Sequence, residues 1–336
     1  MFIKSPGALL LLVYSAVIQA QTECAKIEIE FERLNCYDRL DNEAGQENSA
    51  TLPVNWNREN KPRKSITFSL LNERWELDKD LVQYAFRPYK PVYFLPVAYN
   101  SSVNTVPYTD SPRTTLTEPL NIDQTEAKLQ LSFKTKLLND TVGDNGDLWF
   151  GYTQTSHWQI YNGQESRPFR ETNHEPEFMF VWATDYSLLG FQARMLGLSL
   201  NHQSNGQKDP SSRSWNRLIL SIGLDRPNWV VQFRPWWRIP EKFVDDDNPD
   251  IEKTIGRGEL LIVHRQKNSH QVAARIRHAF HSLEEVKGSL RLDWSYPCFD
   301  RLRCHAQFFH GYGESLIDFN YKTTSIGFGV ALVEWF

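Results

Sequence analysis

From about Val92 onward, hydrophobic and polar residues alternate one by one through segment after segment, the period-two signature of strands with one apolar face and one polar face. In the run from Leu129 to Lys136, Leu129, Leu131, Phe133 and Thr135 share one face and the other face is wholly polar. The run from Gly288 to Tyr296 repeats this, with Leu290, Leu292, Trp294 and Tyr296 opposite Ser289, Arg291, Asp293 and Ser295. Near the end, Ile326, Phe328, Val330 and Leu332 share a face opposite small residues. About twelve such segments can be marked, at 92–100, 128–138, 147–160, 176–186, 191–204, 213–224, 229–239, 256–266, 270–280, 288–297, 302–312 and 323–336. Most are long enough to cross an apolar layer when tilted, and an even count is what single-chain outer-membrane barrels require. The connections after the fourth, sixth, eighth and tenth segments are short. Those after the first, third, fifth, seventh, ninth and eleventh are mostly longer, as when turns gather on one side of a membrane and loops on the other.

A soluble β-sandwich also alternates. Three features weigh against it. The polar face carries many charges, among them Lys134, Lys136, Arg194, Arg217, Arg291 and Asp293, which suit a polar lumen better than a packed core. Trp and Tyr recur near the segment ends, where an interfacial girdle would sit. The last segment ends on Phe336. The expected fold is therefore all-β, an antiparallel transmembrane β-barrel of about twelve strands.

Composition adds limits. The chain has 336 residues and a net charge of -4, a balance that does not suit a nucleic-acid partner. Its mean hydropathy is -0.51, and no internal stretch is apolar enough to cross a membrane as a helix. Lys4, the apolar run from Ala8 to Val17 and the small residues up to Ala20 read as a signal peptide over residues 1–20. Residues 21–85 read as a polar periplasmic segment, with a short helix over 23–40 and a linker over 42–64, leaving 86–336 as the barrel domain. In an exported chain the cysteines meet an oxidising compartment. Cys24 with Cys36 and Cys298 with Cys304 is the simplest disulfide pairing, although spacing leaves the connectivity open. No histidine cluster beside either pair suggests zinc.

Candidate chemistry lies on the fifth and sixth segments. Leu196, Leu198 and Leu200 form an apolar stripe, and side chains two apart share a face, so His202 and Ser204 continue it outward. Asn216 shares a face with Leu218, Leu220 and Ile222. The tight link from Gly206 to Ser211 makes the two segments antiparallel neighbours, bringing Asn216 beside His202. Polar groups facing hydrocarbon are costly and need a reason. A serine is a weak nucleophile until a base takes its proton; His202 can be that base, and the Asn216 amide oxygen can orient the other ring nitrogen. The plainer alternative is a polar rim above the apolar band. Three residues with coordinated facing favour catalysis over it.

The stretch from Asn201 to Gly206, followed by Asp209-Pro210 and Ser212 to Arg217, resembles the active-site region of the outer membrane phospholipase A family. Pro168 to Asn173, Ala183 to Tyr186, Asp246 to Ile251 and Gly311 to Asn320 are similar to the same family, so the resemblance runs from about residue 90 to the C-terminus. It implies calcium-dependent hydrolysis of phospholipid and lysophospholipid acyl esters, at both the sn-1 and sn-2 positions. It also implies Ser204 as nucleophile, His202 as base, Asn216 as orienting residue, and Gly206 as an oxyanion donor beside the cation. The calcium ligands it implies are the Gln207 carbonyl, the Ser212 hydroxyl and, across an active homodimer, Ser166 of the partner subunit. Asp209 and Asp247 match a second, monomer-type site. Gln207 stands where the family pattern leads one to expect arginine, which a carbonyl ligand tolerates. Taken alone, Asp245 to Asp247 reads as a solvated acidic loop. Gln154 matches a residue that contacts the partner across the dimer; alone, it reads equally well as a rim glutamine. The resemblance further implies a bacterial outer-membrane location, with the N-terminal segment periplasmic and the site at the extracellular rim. A non-enzymatic porin-like barrel and a secreted sandwich esterase are the rival readings.

Overall fold

The structure is a computed structural model that describes residues 69–78, 83–278, 287–299 and 302–336. The signal peptide, the expected helix and linker, and the Cys24–Cys36 pair lie outside the described residues. The strands are β1 (Phe86–Pro88), β2 (Val92–Asn100), β3 (Thr125–Leu138), β4 (Asp147–Trp158), β5 (Phe169–Leu188), β6 (Phe191–Ser204) and β7 (Ser214–Arg226). After them come β8 (Trp229–Ile239), β9 (Gly258–Arg265), β10 (Gln271–His278), β11 (Gly288–Pro297), β12 (Arg303–Tyr312) and β13 (Lys322–Val333). The twelve from β2 to β13 form a closed antiparallel barrel, each paired with its chain neighbours and β13 returning to β2. Short β1 lies along β3, with Phe86 opposite Thr135; Pro91, which has no N–H to give a ladder, separates it from β2.

The alternation read from the sequence becomes an inside and an outside. On β6, Asn201 is 0% exposed while Leu200 beside it is 52% exposed. The expected strand at 176–186 is longer than its pattern suggests, since β5 begins at Phe169. Its first half is polar on both faces and contains Pro176, so neither alternation nor propensity marks it.

Inside, charges pair both across strands and along them. Lys136 Nζ lies 2.9 Å from Asp147, Arg291 lies 3.0 Å from Asp293 and Lys128 lies 3.1 Å from Glu314. Glu177, fully buried, accepts from Arg234 at 2.7 Å, Tyr89 at 2.9 Å and Asn201 at 3.3 Å. A buried carboxylate stripped of its cation is costly. Arg234→Leu should therefore destabilise the barrel by about 3–5 kcal/mol; unchanged denaturant unfolding in detergent or vesicles would contradict this.

Both mouths are packed. At the short-turn end, helix α1 (Leu70–Trp75) is capped by Ser69, whose Oγ accepts from the Asn72 amide at 3.0 Å and donates to Asp225. Its Leu70, Leu71 and Trp75 join Trp149, Met179 and Trp335 in a buried cluster. The Lys134 ammonium sits 3.3 Å from the Trp75 ring centre and donates to the Arg74 carbonyl at 2.7 Å. Residues 69–78 fall within the segment the sequence assigned to 21–85, yet they pack against the strands. At the long-loop end, Trp215, Trp236, Leu316 and Phe319 close around helix α2 (Ile251–Thr254) and Ile255. Cys298 and Cys304 form a disulfide with Cα atoms 5.6 Å apart, across the β11–β12 turn.

Candidate active site

β6 and β7 pair in a register that sets His202 opposite Asn216 and Ser204 opposite Ser214. Buried Asn201, Trp215 and Arg217 alternate with these residues and point inward, which turns His202 and Asn216 out onto the wall. There His202 Nδ1 and Asn216 Oδ1 are 2.8 Å apart. A carboxamide oxygen can only accept, so this contact puts the proton on Nδ1 and leaves Nε2 with its lone pair, as a general base requires. Ser204 lies two residues along the same face; among the described residues its hydroxyl has no hydrogen-bond partner, so shared facing, not a formed bond, links it to His202.

Gly206 has φ 63, a left-handed value that suits glycine, and a Cβ there would lie 3.7 Å from the His174 ring. The Gly206 amide donates to no group among the described residues. His174 is opposite Ser204 on β5, and its Nδ1 lies 2.7 Å from the Tyr152 hydroxyl. Tyr152 in turn donates to Gln154 at 3.2 Å, and Gln154 Nε2 donates to Ser156 at 3.3 Å.

Of the oxygen ligands suggested by the sequence, those of Ser212, Asp209 and Asp247 are drawn into one cluster. Ser212 Oγ donates to Asp247 at 2.7 Å, and Ser214 Oγ donates to the same carboxylate oxygen at 3.2 Å. Asp247 and Asp209 converge on one guanidinium. Arg113 Nη1 is 2.9 and 2.7 Å from the two Asp209 oxygens, and Nη2 is 2.6 Å from Asp247 and 3.1 Å from the Asp245 carbonyl. Hydrogen bonds to Asp209 and then Asp247 hold the Arg113 guanidinium above its already high ordinary pKa. Hard oxygens arranged about a cation are the donor chemistry calcium takes, so the residues fit that ion. Among the described residues no three His, Cys, Asp or Glu side chains cluster as a metal site, so calcium here would lean on hydroxyl and carbonyl oxygens. Ser166, with φ 58 on the exposed loop after β4, has no hydrogen bond to Gln207, Ser212 or Asp247.

The sequence did not point to Arg113, His174 or Glu241. Glu241 accepts from Asn216 Nδ2 at 3.0 Å. His174 lies in the first half of β5, polar on both faces, and the other two lie on loops, so no apolar period marks any of the three.

Closed, apolar outside and ionic within, the chain is of the outer-membrane barrel class. Residues 71–332 match the family model of phospholipase A1. Escherichia coli phospholipase A1 is 39% identical over 64% of this chain and 72% of its own length. A Neisseria meningitidis protein provisionally described as a phospholipase A1 is 34% identical over 96% of this chain and 93% of its own. The solved outer membrane phospholipase A of Escherichia coli superimposes with a TM-score of 0.66 at 35% identity, over 75% of this chain and 95% of that one. The Salmonella typhi enzyme, solved as a dimer with bound calcium, gives 0.66 at 35% identity, over 75% of this chain and 94% of its own. The chain belongs to the outer membrane phospholipase A family. It is a carboxylic ester hydrolase acting on phospholipids in the outer membrane.

Proposed function

We propose that Ser204, His202 and Asn216 form the catalytic triad of a calcium-dependent phospholipase A working at the extracellular rim. The 2.8 Å contact between His202 Nδ1 and Asn216 Oδ1 on the outer wall, two residues from Ser204, carries this reading. Ser204 attacks the acyl carbonyl while His202 Nε2 takes the hydroxyl proton and passes it to the departing glycerol oxygen. Water then attacks the acyl-serine ester, with His202 again as base, and the fatty acid leaves. Asn216 holds the imidazole without adding a charge near lipid, and the Gly206 amide donates to the tetrahedral oxyanion. Leu198, Leu200 and Leu218, all well exposed, give acyl chains an apolar approach. Because the wall offers an open approach rather than a closed pocket, sn-1, sn-2 and lysophospholipid esters are all accepted.

The Gln207 carbonyl and Ser212 hydroxyl would hold calcium, completed by Ser166 of the partner subunit in a homodimer, with Gln154 in the pairing surface. Asp209 and Asp247 would form a monomer-type site, where Arg113 competes for the same oxygens. Bound by these residues, calcium supplies positive charge beside the oxyanion. The family's solved dimer with bound calcium supports this half of the reading.

A long-chain sulfonyl fluoride tests the nucleophile. The purified barrel in detergent with calcium should take up one label, on Ser204, with labelling at least about a hundredfold slower in His202→Ala. A label found on another residue, or taken up equally by Ser204→Ala, would remove Ser204 from the role.

A further inference from the structure

We infer that Glu241 is a fourth, positioning member of the relay, fixing which way the Asn216 carboxamide points. The inference rests on the proposed triad and extends it. Asn216 pairs with Ile239 at the end of β8, and Glu241 lies two residues further on. Three neighbouring stretches of the wall thus present His202, Asn216 and Glu241 in one line. The contacts are 2.8 Å from His202 Nδ1 to Asn216 Oδ1 and 3.0 Å from Asn216 Nδ2 to Glu241 Oε1.

The chemistry gives the line a direction. A carboxamide has a donor end and an acceptor end of nearly the same shape. Turned the wrong way, Asn216 would offer N–H to His202 Nδ1, favour the tautomer with its proton on Nε2, and leave no base facing Ser204. A carboxylate only accepts, so Glu241 holds Nδ2 and sends Oδ1 to the imidazole. Its charge also polarises the amide, strengthening Oδ1 as acceptor when the imidazolium forms. A triad built with aspartate in this place needs no such selection, because both its oxygens accept.

The loop keeps Glu241 in place. Immediately after it, the Asp245 and Asp246 amides donate to the Lys242 carbonyl at 2.8 and 2.9 Å. Arg238, on the other side of Glu241, binds Asp246 at 2.6 Å. The carboxylate therefore sits on a closed turn pinned to the strand end.

The test is a substitution cycle in the purified full chain, in detergent with calcium, reading kcat and KM separately and using heat-dependent gel mobility to show that each barrel is folded. Glu241→Ala should lower kcat about tenfold with KM within about twofold, as loss of an interaction that matters in the transition state does. Asn216→Asp should lose about tenfold beside Glu241, where two carboxylates meet at hydrogen-bond distance. It should recover most of that loss in Asn216→Asp/Glu241→Gln, where an amide donor again faces the carboxylate. Activity of Glu241→Ala within twofold of the parent, or Asn216→Asp equally active in both backgrounds, overturns the assignment. If Glu241→Ala does not fold, the Gln background decides alone. Loss of activity in Ser204→Ala and His202→Ala alongside a null Glu241 result sinks only this inference; survival of activity in those two sinks the triad itself.

Discussion

Ser204→Ala should leave a folded barrel whose fatty-acid release is at least about a thousandfold below the parent. The substitution removes one oxygen from an outward-facing position at the end of β6, where no buried contact depends on it. Stability and heat-dependent mobility should not change, so lost activity reports chemistry and not folding. His202→Ala should cost nearly as much, and the double variant little more than either alone, because nucleophile and base act as one unit. Additive losses would mean that the two act separately. Release by Ser204→Ala at a tenth of the parental rate or more would place the nucleophile elsewhere.

The wall position of the site follows from what fills the lumen. Lys136–Asp147 and Arg234–Glu177 link different strands, Arg291–Asp293 pairs along β11, and aromatic clusters close both mouths. Such an interior is a rigid support. The proposed reacting groups then lie on the side from which a phospholipid arrives. Across the β6–β7 ladder, Asn216 faces His202 and holds its imidazole from that side.

How far the sequence disclosed this depended on whether a residue obeyed a period. His202, Ser204 and Asn216 were legible because a strand's two-residue repeat, anchored by Leu200 and Leu218, fixes facing, and the tight connection at 206–211 fixes partners. The same repeat sorted Lys134 and Lys136 inward against Phe133 and Thr135. The first half of β5 was hidden because its run from Arg170 to Glu175 is polar on both sides near the rim. Helix α1 was hidden because six residues give less than two turns, and Ser69 caps it from within a stretch rich in charge. Arg113 and Glu241 sit on loops whose path depends on long-range contacts, Arg113 reaching across 134 positions to Asp247. No local pattern encodes that reach.

Chelation should expose the other dependence on charge. Removing calcium with excess chelator should cut hydrolysis by at least about a hundredfold, the scale of losing one major oxyanion partner, and readdition should restore it. At the monomer-type site of Asp209 and Asp247, Arg113 sets how much calcium is needed for binding. Its guanidinium already occupies the oxygens of Asp209 and Asp247, and an incoming cation must displace it or meet its charge. Arg113→Ala frees both carboxylates while leaving Ser212 and Ser214 to hold Asp247. At an effective dielectric near 20, one unit charge within a few ångströms is worth a few kcal/mol. Part of that is screened here, because Arg113 and Asp209 are 37% and 43% exposed. About 2 kcal/mol remains, which lowers the calcium concentration for half-saturation about thirtyfold. Terbium luminescence or calorimetry on the purified barrel reads that shift directly, without relying on turnover. An unchanged midpoint in Arg113→Ala would mean that calcium binds away from the Asp209–Asp247 pair. A weakened midpoint would make Arg113 a scaffold for the site and not its competitor.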